Sequence, residues 1–100
     1  PPAFGVYAVL VDVLDGPHKG SYHGAASVGV RPMFDGEHPN IETFLFDFKG
    51  NLYGSRLSVG LVDYLRPELR FDGLEPFIAQ MQADCDQARE ILAALSEGLA

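Results

Sequence analysis

The feature that most limits the possible folds is a change of hydrophobic pattern between residues 65 and 74. Before it, short runs rich in β-branched and aromatic residues alternate with turns rich in glycine, proline and asparagine, and no helical spacing lies between them. Short strands joined in this way are typical of an antiparallel sheet or a small barrel. The predicted strands are 5–13, 21–30, 41–48 and 57–65, joined by a turn at 14–20, a polar loop at 35–40 and a Gly-containing turn at 49–56.

Residues 74–96 carry apolar side chains at spacings of three and four, which predicts one long amphipathic helix. Asp72 and Glu75 form a D-x-x-E capping box, and Pro76 lies in the first turn, where its missing N–H costs least. The polar face is expected to carry Gln80, Asp84, Asp86, Gln87 and Glu90. The residues expected to pack the helix against the sheet are Phe77, Ile78, Met81, Ala88 and Leu92.

The charge and cysteine content exclude several classes of protein. A formal charge of −7 and a pI near 4.6 argue against a nucleic-acid-binding surface, which needs clustered Lys and Arg. One cysteine cannot form an internal disulfide framework, and no apolar run approaches the ~20 residues that span a bilayer. We therefore expect residues 1–100 to form one cytoplasmic domain with no nucleic-acid or membrane partner.

Glu42 is the candidate general base. It lies at the head of an aromatic-rich strand, and apolar surroundings there would make its carboxylate a better proton acceptor. The alternative is an ordinary surface glutamate on an edge strand. The three histidines do not have the spacing of a zinc site, and Cys85 falls on the apolar helix face, as a buried inert thiol would.

Arg66 is the candidate binding cation, because it follows the fourth strand and precedes the helix. Its planar guanidinium could stack on a flat ring or pair with a phosphate, and Phe71 offers a second flat surface. The alternative is a salt bridge to Glu68 or to a carboxylate of the helix. The N-L-Y-G turn at 51–54 could donate backbone N–H groups to a nucleotide, although it also fits an ordinary tight turn.

Six segments of this chain carry a family resemblance: G-V-Y-A at 5–8, A-S-V-G-V-R-P-M-F at 26–34, I-E-T-F-L-F-D-F at 41–48, N-L-Y-G at 51–54, L-R-P-E-L-R-F at 65–71 and D-C-D-Q-A-R at 84–89. Together they resemble the riboflavin kinase family in order and spacing. The resemblance implies a mainly β fold, a six-stranded antiparallel β-barrel with a C-terminal helix packed on it. It also implies transfer of the ATP γ-phosphoryl group to the ribityl 5′-hydroxyl of riboflavin, giving FMN.

The resemblance also assigns roles to individual residues, and Leu69 departs from a polar residue found in some members of the family. Such an enzyme needs alignment of its substrates, charge neutralisation and one group to receive the hydroxyl proton. The implied residues are Glu42 as catalytic base, Leu45, Asp47 and Tyr53 at the ATP site, and Arg66, Leu69 and Phe71 at the flavin site.

The resemblance further implies a segment upstream of Pro1. The family begins with a first barrel strand and a G-x-P-T-A-N motif whose Thr and Asn hold Mg²⁺ and the nucleotide phosphates, and Thr43 is the sole threonine here. We therefore expect a part of a longer flavin-synthesising polypeptide, inactive alone, with an N-terminal adenylyltransferase domain. Two alternatives stay open: a non-catalytic flavin- or FMN-binding module, and a β-barrel interaction domain.

Overall fold

The structure, a computed structural model that describes residues 2–98, is one antiparallel sheet with a long helix on one face. The elements are β1 (Gly5–Val13), β2 (Gly20–Met33), β3 (Gly36–Leu45), β4 (Leu57–Arg66) and α1 (Leu74–Ser96). The sheet order is β3-β2-β1-β4. The prediction of a mainly β antiparallel fold with a C-terminal helix is therefore confirmed. Closure into a six-stranded barrel stays a prediction, because β3 and β4 are the sheet edges among these residues.

The hairpin of β2 and β3 is longer and tighter than its sequence predicts. The prediction of a polar loop at 35–40 is wrong, because residues 36–40 belong to β3. The pairing of β2 with β3 continues to the tip of the hairpin, where Met33 pairs with Gly36. Pro39 is tolerated there because β3 is an edge strand. The strand also ends at Leu45 rather than Phe48, because Asp47 adopts a positive φ of 56° and turns the chain away.

The two faces of the sheet carry separate apolar clusters. On one face, Tyr7, Val9 and Val11 of β1 pack with Ala26 and Val28 of β2. On the other face, Ala8 and Ala25 meet the helix through Ala88 and Leu92, and Phe46 completes this second cluster. Alternate side chains of β1 therefore point to opposite faces of the sheet, as the pleat of a strand requires.

Helix α1 packs on the sheet along only part of its apolar stripe. Its buried residues are Asp84, Ala88 and Leu92, at successive intervals of four. Phe77, Ile78 and Met81 remain 41–44% exposed, so the prediction that they pack the helix onto the sheet is wrong. The prediction is confirmed for Ala88 and Leu92.

The start of α1 also differs from the prediction. The N-cap residue is Gly73, with φ 108°, and no side chain caps the helix, so the capping box of Asp72 and Glu75 does not form. A positive φ suits glycine, and this backbone conformation sets the angle at which the chain enters the helix. No helix in the described part of the chain has the length and apolar character that crossing a membrane requires.

Replacing Leu92 with Asp should lower the free energy of unfolding by ~3–5 kcal/mol, because an unpaired carboxylate would replace a packed core side chain. Met81→Asp is the matched control, since Met81 is 44% exposed while Leu92 is 1% exposed. The control should cost about 1 kcal/mol or less. Urea denaturation measures both values, and equal losses would contradict the packing described for α1.

Candidate functional site

An open groove of about 780 Å³ separates the N-terminal half of α1 from the sheet. Its volume falls in the range of sites that hold a drug-sized ligand, ~300–1,000 Å³. The sheet side includes Val6, Ala25, Ala26, Ser27, Glu42, Thr43 and Phe44, the helix side includes Phe77, Ile78, Met81, Gln82 and Cys85, and the remaining lining residues are Arg66, Asp84, Asp86 and Arg89. The groove therefore combines an apolar bed with charged groups at its margins.

Glu42 lies on the groove side of β3, opposite Ser27 of β2. Its side chain is 68% exposed. One carboxylate oxygen accepts a hydrogen bond from Asn40 Nδ2 at 3.2 Å and lies 3.5 Å from Arg31 Nη2. The expectation of apolar surroundings is therefore wrong, because polar neighbours and solvent surround the carboxylate on this edge strand.

Arg66 forms a bidentate ion pair with a carboxylate of the helix, which was one of the open alternatives. Its Nε donates to Asp84 Oδ1 at 2.9 Å and its Nη2 donates to Asp84 Oδ2 at 2.7 Å. The two side chains are only 17% and 7% exposed. The prediction that Asp84 lies on the polar, solvent-facing side of α1 is therefore wrong. Its burial is tolerated because the positive charge of Arg66 neutralises the carboxylate.

The other two flavin-site candidates lie in the segment that follows Arg66. Phe71 packs edge-to-face with Phe77, with ring centroids 5.6 Å apart, and lies 6.0 Å from the Arg66 guanidinium carbon. Leu69 is 49% exposed. Of the three candidates, Arg66 lines the groove directly and Phe71 adjoins it through Phe77, whereas Leu69 is not among the lining residues.

The three ATP-site candidates are not brought together. Leu45 packs against the Tyr7 cluster on the other face of the sheet. Tyr53 is 91% exposed, and its backbone N–H donates to Asn51 Oδ1 at 2.7 Å. Asp47 lines a second cleft of about 450 Å³, which also contains Tyr22, His23 and Phe46. Sequence position alone therefore does not define a single nucleotide pocket in this part of the chain.

Arg89 of α1 lies at both cavities and holds Asp47 in place. Its Nη1 donates to Asp47 Oδ2 at 2.9 Å, and its guanidinium carbon lies 4.4 Å from the Phe46 ring centroid. The hydrogen bond and the positive charge of Arg89 hold the pKa of the Asp47 carboxyl below its usual range. Asp47 is therefore an anion at neutral pH, which makes it a hydrogen-bond acceptor for a ligand rather than a direct phosphate contact.

Helical spacing in the sequence does not identify the main groove residues of α1. It predicts Phe77, Ile78 and Met81 as core residues, although all three line the groove. The sequence did contain a signal for the position of Asp84. Asp84 lies four residues before Ala88 and eight before Leu92, so the three side chains share one face of the helix. Among residues 2–98, no three His, Cys, Asp or Glu side chains group as metal ligands would.

Comparison with known proteins places the chain in a family. The sequence profile described as Flavokinase: Riboflavin kinase matches residues 1–92. The chain is 42% identical over 93 residues to a bifunctional riboflavin kinase/FMN adenylyltransferase of Pseudomonas fluorescens, covering 92% of this chain and 29% of that protein. It is 39% identical over 67 residues to riboflavin kinase of Homo sapiens, covering 66% of this chain and 43% of that protein.

One solved structure shares this fold. A crystal structure described as a macrolide-efflux protein from Streptococcus pneumoniae superposes with a TM-score of 0.72 at 36% identity, covering 83% of this chain and 26% of that one. The chain therefore belongs to the riboflavin kinase family, as its motifs predict. It spans less than a third of the length of the bifunctional bacterial relatives.

Cys85 should react slowly with alkylating reagents. Burial of the thiol, and next the negative charge of Asp84, raise the pKa of Cys85 above its ordinary value. At about pH 8, just below the ~8.5 pKa of an unperturbed thiol, the native protein therefore holds less reactive thiolate. Iodoacetamide labelling of the Cys85 peptide, followed by mass spectrometry, should be several-fold slower than in urea.

The pH dependence of this labelling gives a second check. The native rate should continue to rise with pH after the rate in urea has levelled off, because the native thiol loses its proton later. Equal rates in the native and unfolded protein across this range would contradict the partial burial of Cys85.

Proposed function

We propose that the protein containing this chain is a riboflavin kinase, which transfers the γ-phosphoryl group of ATP to the ribityl 5′-hydroxyl of riboflavin. Family membership supports the reaction, since relatives named riboflavin kinase match most of this chain. The observation that carries the proposal is that one groove contains both an apolar bed and the carboxylate of Glu42. A flat apolar ring and a reacting hydroxyl can therefore bind next to each other.

The apolar part of the groove fits the isoalloxazine ring. Phe77, Ile78 and Met81 of α1 face Phe44 of β3 across it, and each is at least 41% exposed. Covering these side chains with a flat ring would remove apolar surface from water, worth roughly 25 cal/mol per Å² before the costs of association. Phe71, which packs on Phe77, would support the same wall.

Glu42 is proposed to accept the proton of the ribityl hydroxyl. As the hydroxyl oxygen bonds to the γ-phosphorus, its proton passes to a Glu42 carboxylate oxygen, the bond from phosphorus to the bridging oxygen breaks, and ADP leaves. The hydrogen bond from Asn40 and the nearby Arg31 hold the carboxylate at the groove side of β3. Positioning of the hydroxyl against this base is this chain's own part in the reaction.

Nucleotide and metal binding complete the proposed reaction. Leu45, Asp47 and Tyr53 stay proposed ATP contacts: the exposed Tyr53 ring could stack on the base, and anionic Asp47 could accept from its amino group or from a ribose hydroxyl. Magnesium is proposed as the nucleotide's counter-ion. Its ligands, as the family resemblance implies, would be the Thr and Asn of the G-x-P-T-A-N motif together with the nucleotide phosphates.

The proposed setting is one domain, residues 1–100, in a bifunctional FMN- and FAD-synthesising polypeptide. The bacterial relatives that join a riboflavin kinase to an FMN adenylyltransferase support an adenylyltransferase domain in the same protein. A cytoplasmic location is part of the proposal, since the chain has a single cysteine and so forms no internal disulfide. A non-catalytic flavin-binding module is the second candidate, favoured by the solvent exposure of Glu42.

Glu42→Gln in the full-length protein should lower turnover by ~10²–10⁴-fold, because the amide keeps the shape but cannot accept the proton. Riboflavin affinity, followed by quenching of flavin fluorescence, should change little. Glu37→Gln is the matched control, since Glu37 is an exposed carboxylate on the same strand outside the groove. FMN formation from riboflavin and ATP is the assay.

Two outcomes separate the competing functions. If Glu42→Gln keeps more than about half of the parent activity, Glu42 is a surface carboxylate and the proposed base is wrong. If the parent protein binds riboflavin but forms no FMN, the non-catalytic binding module replaces the kinase.

A further inference from the structure

Asp84 is a buried carboxylate with an unusually complete set of partners. It is the single buried charged residue in the described part of the chain. Besides the three hydrogen bonds that Arg66 donates to this carboxylate, its Oδ1 accepts one from Gln80 Nε2 at 2.9 Å. A carboxylate held from both sides in this way fixes the plane of the guanidinium that faces it.

The guanidinium of Arg66 retains unused hydrogen-bonding capacity. Nε donates to Asp84, Nη2 donates to Asp84, and Nη1 donates to the Pro67 carbonyl oxygen at 2.9 Å. A guanidinium has about five N–H groups, so one remains on each terminal nitrogen without a bond to residues 2–98. Arg66 and Asp84 both line the groove, which makes a ligand bound there the candidate partner of these N–H groups.

Attaching α1 to the sheet is not the sole role of the ion pair between Arg66 and Asp84. Ala88 and Leu92 already bury α1 against the sheet, at 0% and 1% exposure. The pair instead lies where α1 diverges from the sheet, and the bond to Pro67 fixes the first residue of the 67–73 segment. That segment carries Phe71, which packs against both Arg66 and the groove residue Phe77.

We propose that Asp84 is a positioning residue for flavin binding: it holds the Arg66 guanidinium so that its free N–H groups and the 67–73 segment form the polar end of the groove. This inference rests on the proposed function and names a part of its flavin site. Removing the charge of Asp84 would let Arg66 rotate and the segment move. Riboflavin binding would then weaken, while the proton transfer at Glu42 would persist.

The test compares Asp84→Asn with Glu90→Gln in the full-length protein. Glu90 is an exposed carboxylate on the same helix outside the groove, so its variant makes the same change of charge. Asp84→Asn should raise the riboflavin KM and Kd by about tenfold, equal to about 1.4 kcal/mol. Its kcat and its ATP KM should stay within about threefold of the parent values, and Glu90→Gln should change none of them.

Arg66→Lys keeps the result interpretable if Asp84→Asn fails to fold. Lysine can still pair with Asp84, but it lacks the planar fork of donors. The variant should therefore retain a cooperative thermal transition and still bind riboflavin about tenfold more weakly. A purely structural ion pair would leave riboflavin affinity unchanged in this variant.

The outcomes separate this inference from the function on which it rests. If the parent phosphorylates riboflavin and folded Asp84→Asn or Arg66→Lys binds riboflavin as the parent does, Asp84 serves packing alone and the inference is overturned. If kcat falls as steeply as affinity, the positioning role is also wrong. If the parent itself neither binds nor phosphorylates riboflavin, the proposed function fails and the inference fails with it.

Discussion

The contact between small residues of the sheet and the C-terminal half of α1 governs the rest of the structure. Ala8 and Ala25 let Ala88 and Leu92 approach closely, so the helix is buried there. Farther toward its N-terminus the helix buries no apolar side chain, and Phe77 and Met81 face an open groove. One apolar stripe therefore has two uses, because half of it forms the core and half forms the candidate ligand site.

Charge pairing decides which kind of ligand suits this groove. The three arginines around it each have a carboxylate partner: Arg31 with Glu42, Arg66 with Asp84 and Arg89 with Asp47. With these charges matched in a chain of net charge −7, the groove offers no excess of cations for a phosphate group. A neutral ring with polar edges fits it better, which supports the proposal that riboflavin rather than the nucleotide binds there.

Sequence patterns predicted the elements of this fold better than the packing of the elements. Hydrophobic periodicity and turn-forming residues predict the four strands and α1 correctly. They wrongly predict a loop at 36–40, because pairing with β2 extends β3 through polar residues and a proline. Helical spacing shows that Met81 and Leu92 share a stripe, yet it cannot show where the helix leaves the sheet. Asp84 was misplaced for a related reason, since its burial depends on Arg66, 18 residues away in the chain.

The most direct test of the flavin groove uses the two methionines of this chain, Met33 and Met81. They have similar exposure, 51% and 44%, but Met33 lies at the tip of the β2–β3 hairpin and only Met81 lines the groove. In full-length protein labelled at the methionine methyl groups, riboflavin should shift the NMR signal of Met81, through the ring current of the bound flavin, and leave that of Met33 in place. A shift confined to Met33, or saturable riboflavin binding with no shift of Met81, would contradict the groove as the flavin site.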